Sequence, residues 1–166
     1  YANSVLTDVQ VALTRRINAK VAYRWYDVRT TYDGVLRERP FTPTHRGMFD
    51  LSYASKNERF RADATLNMFG SSRIPSTITN PEAYRFPERA PAYATLHAQV
   101  TLVVGLWEFY AGGENLTSTL QTRQIIAPDD PFSPYFDASL IWGPTNKAMF
   151  YGGIRFTLDR TPETNN

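Results

Sequence analysis

MFYGGIRFTL, residues 149–158, is extended chain with two unlike sides: Phe150, Ile154, Phe156 and Leu158 fall on one, Tyr151, Arg155 and Thr157 on the other. Successive side chains of a strand point to opposite faces, so this pattern predicts a strand with one apolar and one polar face. The same period of two recurs through the chain. Val9, Val11 and Leu13 oppose Gln10, Ala12 and Thr14; Val21, Tyr23 and Trp25 oppose Lys20, Arg24 and Tyr26. Phe49, Leu51 and Tyr53 oppose Asp50 and Ser52; Phe60, Ala62, Ala64, Leu66 and Met68 oppose Arg61, Asp63, Thr65 and Asn67. Ala94, Leu96, Ala98, Val100 and Leu102 oppose Thr95, His97, Gln99 and Thr101; Trp107, Phe109 and Ala111 oppose Glu108 and Tyr110. The fold class is therefore all-β, with about seven strands of about ten residues, longer than the five or six usual in a soluble sheet.

The connections alternate in length. Short ones fall near residues 16, 56 and 105, and long ones span 33–44, 71–91 and 118–147. The 11 prolines lie in the long loops, at their edges or, for Pro162, in the tail, and none lies inside a strand, where it would remove a ladder hydrogen bond.

Composition narrows the class. Aromatic residues make up 14% of the 166 residues, yet mean hydropathy is −0.40, as alternation rather than a segregated core would give. A net charge of +2 with scattered Lys and Arg gives no footprint for nucleic acid. Without cysteine there is no disulfide or thiolate metal site. No apolar run is long enough for a transmembrane helix. Ten-residue strands do cross a bilayer at a steep tilt, apolar side chains outward and polar ones inward, with short periplasmic turns and long external loops. The pattern thus predicts an antiparallel transmembrane β-barrel segment in the bacterial outer membrane. The last strand would run down to the periplasm, and counting back, the first would also run down. A complete barrel of this kind has an even strand number, so about seven strands read as the C-terminal part of a larger barrel, with residues 1–158 in the wall and 159–166 a polar tail. The start on Tyr1, in mid-pattern, reads the same way.

Three stretches carry a family resemblance. WEFYAGGENLTS resembles the penultimate strand of TonB-dependent outer-membrane receptors. DDPFSPYFDASLIWGP followed by MFYGGIRFTL is similar to the last loop and final strand of the Bacteroidetes-type branch, and LRERPFTPTHRGMFDLSYAS reads like one of its loop-strand units. The tail DRTPETNN departs from the many outer-membrane proteins that stop at the terminal aromatic. The resemblance implies a receptor of about 22 strands with a plugged lumen. It implies uptake of a scarce solute (a ferric siderophore, cobalamin or similar) driven by the TonB complex, which would act through an N-terminal part not in this chain. Metal chelate, outer-membrane lipid and lipopolysaccharide are the implied partners.

Candidate site residues follow from position. Arg37, Arg39, Arg85 and Arg89, with Arg46 and Arg73, lie in or beside the first two long loops, where they would attract an anionic solute; Glu38, Glu82 and Glu88 among them favour a hydrated, lipopolysaccharide-facing or self-paired surface instead. Phe132, Tyr135 and Trp142, with Tyr84, Phe86 and Phe136, would form a ligand platform or knit the loops together. His97, Gln99 and Arg155 are on the polar side and would face the lumen. Two histidines far apart, His45 and His97, make no metal site, and Asp129-Asp130-Pro131 reads as a turn. No catalytic motif or cofactor signature is present, so the expectation is a non-enzyme. The rival readings are a soluble β-sandwich binding module, its apolar face covered by a second sheet, and another outer-membrane barrel, an adhesin or an enzyme.

Overall fold

The computed structural model of the protein describes residues 1–158. The polar tail 159–166 lies outside the described residues. The strands are β1 (Ala2–Ala12), β2 (Ile17–Tyr32), β3 (Val35–Glu38), β4 (His45–Ala54), β5 (Phe60–Phe69), β6 (Ser72–Arg73), β7 (Arg89–Ala90), β8 (Tyr93–Val104), β9 (Trp107–Glu114) and β10 (Met149–Phe156). The only helical turn among the described residues is the 3-10 turn Glu82–Tyr84. An eight-stranded antiparallel sheet runs in the order β1-β2-β4-β5-β8-β9-β10, with β3 beside the far end of β2. Each long strand pairs with the next long one, so the sheet is a meander whose edges are β1 and β10. Those edges do not pair with each other, and the described sheet is not a closed barrel.

The seven alternating segments all become long strands, joined by the expected short and long connections. Two are longer than the pattern predicts. β1 extends back to Ala2, through residues with little alternation, and pairs with β2 along its whole length. β2 runs on to Tyr32 and turns back through Asp33 and Gly34 into β3, inside the first long loop. Both turn residues have positive φ, 48° and 75°, the geometry that Asp-Gly favours between hairpin strands.

Register fixes what each face carries. The pairings run unbroken, so parity is kept from strand to strand. Val9, Val21, Phe49, Leu66 and Leu96 form one row on the apolar face; Phe60, Leu102, Phe109 and Ile154 form another. From the short turns up to Trp25 and His45 this face holds no Asp, Glu, Lys or Arg. Its charged residues begin beyond Trp25, with the ion pair Asp27–Arg29 at 3.1 Å. The other face takes Asp8, Lys20, Arg24, Arg46, Asp50, Arg61, Asp63, Glu108, Glu114 and Arg155. The apolar face is uncovered: Val9 is 56% exposed and Val100 47%, whereas Thr101 on the polar face is 7% exposed.

Gly153 of MFYGGIRFTL and Gly112 of β9 have a packing reason on the polar side. Gly153 lies opposite Tyr110, and Gly112 opposite Tyr151. Each tyrosine ring lies over the glycine facing it, in the space a Cβ would need. A Cβ on Gly112 would stand 2.6 Å from the Tyr151 ring and 2.8 Å from the Ala98 carbonyl oxygen. The swap of ring for glycine locks β9 to β10 and lets the Tyr151 hydroxyl donate to Gln99 Oε1 at 3.0 Å on β8. Gly112→Val forces the ring off its seat and is expected to destabilise the protein by about 1–3 kcal/mol, the usual range for overpacking. An unchanged denaturation midpoint for this variant, set beside the wild-type protein, would contradict the ring-over-glycine account.

Candidate functional site

The buried apolar cluster lies among the loops, whereas on the eight-stranded sheet Val103 is the buried hydrophobic among the described residues. Ile74, Ala90, Ile126, Ala127 and Leu140 form the cluster, with Tyr84, Phe86 and Trp142 packed against them. These residues come from the connections β5–β8 and β9–β10, which meet over one end of the sheet. Arg123 ties the two together. Its guanidinium donates to the carbonyls of Arg85 at 2.9 Å and Ala83 at 2.7 Å, and it lies 4.7 Å over the Phe86 ring. The β2–β4 connection joins through Arg73 Nη1, which donates to the Glu38 carbonyl at 3.0 Å, and through the ion pair Arg89–Glu38 at 2.7 Å. The three long loops thus make one cap.

Two buried amides hold the third loop in shape. Gln121 is 1% exposed and fully bonded. Its Nε2 donates to the carbonyls of Arg123 and Leu140, at 2.8 and 2.9 Å, and its Oε1 accepts from the N–H groups of Trp142 and Gly143, at 2.8 and 3.1 Å. Asn115, in the GGENL motif, sits at φ 49° just past β9. Its Nδ2 donates to the carbonyls of Thr119 and Asn146, both at 2.8 Å, and its Oδ1 accepts from Thr117 Oγ1 and the Thr119 N–H. Leu116 folds back over Gly113, where a Cβ would collide with it. The motif is therefore a loop-launching device: glycine for the close approach, asparagine for the backbone bonds.

The expected site residues separate into three groups. Arg37, Arg39, Arg85 and Phe132 are exposed on the cap, Phe132 at 98%. Tyr135 is at the rim, stacked 5.4 Å from Tyr84. Arg89 is held by Glu38 and by Ser71, and Trp142 is packed into the cap core, 5.9 Å from the Tyr93 ring, so both knit loops together. Asp129 and Asp130 lie in a turn closed by the Asp130 N–H bond to the Ala127 carbonyl. His97, Gln99 and Arg155 share the polar face, as expected, but in two hollows. His97 lines a cavity of about 290 Å³ under the cap with Phe69, Tyr93, Glu114 and Met149. Gln99 and Arg155 line a wider groove of about 540 Å³ toward the short turns, where Glu108 accepts from Arg61 and Arg155 at 3.0 and 3.1 Å. His45 lies on the apolar face, its Nδ1 2.6 Å from the Tyr23 hydroxyl. No cluster of three or more His, Cys, Asp or Glu suited to a metal ion occurs among the described residues.

Reading single segments passed over one row of the polar face. Leu6, Arg24, Arg46, Phe69 and Tyr93 lie side by side across five strands, directly below the cap. Phe69 and Tyr93 stack at 4.7 Å. The signal was present only in the register: the two arginines are 22 residues apart in sequence and become neighbours by pairing. A comparison with protein-family models finds no match to this chain, and neither does a comparison with curated proteins.

The cap analysis gives a direct test. Gln121→Ala leaves two carbonyls and two N–H groups without their partner, each costing about 1–3 kcal/mol where water does not reach it. The variant is expected to open the 118–147 loop to limited proteolysis while the sheet stays folded. Thr122→Ala, at an exposed neighbour, is expected to digest like wild type; equal digestion of the two variants would remove Gln121 from its pinning role.

Proposed function

We propose that this chain is a wall and external-loop segment of an outer-membrane active transporter, driven by TonB, that takes up a scarce solute such as a metal chelate or cobalamin. One observation carries the membrane part of the reading: an uncharged apolar face extends across seven strands, uncovered, while the buried core of the chain lies in the loops. A soluble sandwich needs a second sheet over such a face; lipid covers it without one. Aromatic side chains gather at both ends of the face, as an interfacial girdle requires. Tyr53, Phe60, Trp107 and Phe156 are at the short-turn end, with Trp107 and Phe156 rings 4.6 Å apart; Tyr23, Trp25 and His45 are at the loop end. Tyr53 and His45 are eight residues apart on β4. That is about 26 Å along the strand and about 20 Å in height at a tilt of about 40°, close to the thickness of the apolar band of such barrels.

In lipid an open edge is not tolerated, so β1 and β10 pair with further strands of the same barrel. The transport part rests on the family resemblance of the β9 and β10 region. On that reading the polar face lines a lumen filled by a plug, and the cap forms part of the outer surface that meets solute and lipopolysaccharide. The reading assigns the chain no catalysis.

Leu66→Arg puts a charge in the middle of the apolar face and is expected to cost the assembled protein about 2–4 kcal/mol in a bilayer. Ser52→Arg, on the polar face opposite Asp63, is expected to cost far less. Equal tolerance of the two would contradict a lipid-facing surface. For the native polypeptide, the expected results are an outer-membrane location, an intact mass several times 18.9 kDa, and loss of energised uptake of a metal chelate or cobalamin when it is deleted. A soluble native polypeptide near 18.9 kDa would sink the proposal and favour the sandwich.

A further inference from the structure

The row Leu6–Arg24–Arg46–Phe69–Tyr93 sets two arginines directly opposite each other on adjacent strands. Like charges in that position repel. Among the described residues neither arginine forms an ion pair. Along the strands of this row, Asp8 and Asp50 lie on the same face two and four residues from it, and Asp50 accepts from Thr65 Oγ1 at 2.6 Å. The Arg24 Nε is buried and has no hydrogen-bond partner. A buried N–H of a cation left unbonded is costly, and such groups call for an explanation. Neither side chain is loosely held, though. The Arg24 guanidinium lies 4.1 Å over the Tyr26 ring, and that of Arg46 lies 4.7 Å over Phe69. The aromatic faces brace both groups. Together they border a hollow that Leu6, Asn67 and Phe69 also line.

We propose that Arg24 and Arg46 form an oxyanion site that takes a carboxylate or phosphate group. Paired guanidinium forks match the two or three oxygens of such a group, and its charge removes the repulsion between them. Asn67 supplies a neutral amide at the border. The stacked pair Phe69–Tyr93 gives the site an apolar shoulder, which suits an anion carried on an apolar or aromatic body. The anion has two possible sources: a free solute, or a carboxylate side chain from another segment of the same polypeptide seated against this face. The site does not depend on lipid meeting the opposite face, so it stands or falls apart from the transport reading.

The test is arginine-specific dicarbonyl labelling of the native full-length protein, read by peptide mass spectrometry, with inorganic phosphate as the probe. Arg16, exposed in the β1–β2 turn, serves as reference. If the anion is a free solute, saturating phosphate is expected to slow labelling of Arg24 and Arg46, and not of Arg16, by about tenfold, the scale of one charge-assisted hydrogen bond. If it is a resident carboxylate, both label slowly with or without phosphate, and Arg46→Met, which keeps the apolar stem but removes the charge, lowers the melting temperature. Labelling at the Arg16 rate without phosphate protection overturns the proposal. So does slow labelling combined with an Arg46→Met variant that melts at the wild-type temperature or above it.

Discussion

The register between neighbouring strands is the constraint on which the other features depend. Because side chains alternate with a period of two, a slip of one residue anywhere between β1 and β10 would carry Asp8, Asp50 or Arg61 onto the apolar face and Phe49 or Leu66 off it. The observed pairings contain no such slip. They hold together an uncharged surface of seven strands and, on its reverse, every charged side chain those strands carry below Trp25. A sheet so divided has strongly specified pairing, since each alternative register moves several charges onto the apolar face.

The division of labour between sheet and cap follows from the same constraint. With most of its apolar residues spread over one uncovered face, the sheet forms no buried cluster of its own among the described residues. The polar face cannot supply one either: it is tied by side-chain bonds such as Arg61–Glu108–Arg155 and Tyr151–Gln99. Local burial therefore concentrates where the long loops meet, around Ile74, Ile126 and Leu140. The loops achieve order through buried amides bonded to main chain, Gln121 and Asn115, rather than through ladders. Loops without such pins would expose their carbonyl and N–H groups to water and carry no fixed surface.

Much of this was legible from residue order alone, and the reason is physical. Alternation is a local signal, so VQVALT, KVAYRWY and MFYGGIRFTL announce strands without reference to one another, and prolines mark where strands cannot be. The first half of β1 and the β2–β3 hairpin escaped because ANSVLTD and DVRTTY alternate weakly; the Asp33-Gly34 pair was the available sign of the hairpin. The loop core had no sign. Ile74, Ala90, Ile126 and Leu140 follow no period, and their meeting depends on how three connections fold over one another. Gln121 looked like any polar loop residue because its partners are backbone atoms, which sequence does not distinguish. Among the expected ligand residues, Arg89 and Trp142 turned out to be bound into the cap, a distinction that depends on Glu38 and Tyr93 lying close in space.

The Arg24–Arg46 pair differs in kind from the other features. At two other places on the polar face opposite charges stand together: Glu108 bridges two arginines, and Lys20 lies across from Asp50 in the register. In the row beneath the cap two arginines stand at opposite positions instead, and each is braced by an aromatic ring. An arrangement that served stability alone would place a carboxylate or an apolar pair at one of these positions, since matched neighbours contribute and like charges subtract. Ordered side chains, retained repulsion and a buried N–H without a partner together describe a position whose electrostatics are completed by a group outside the sheet. Its place on the side away from the apolar face, directly under the loops, is where an anion entering from the cap end would first meet two fixed guanidinium groups.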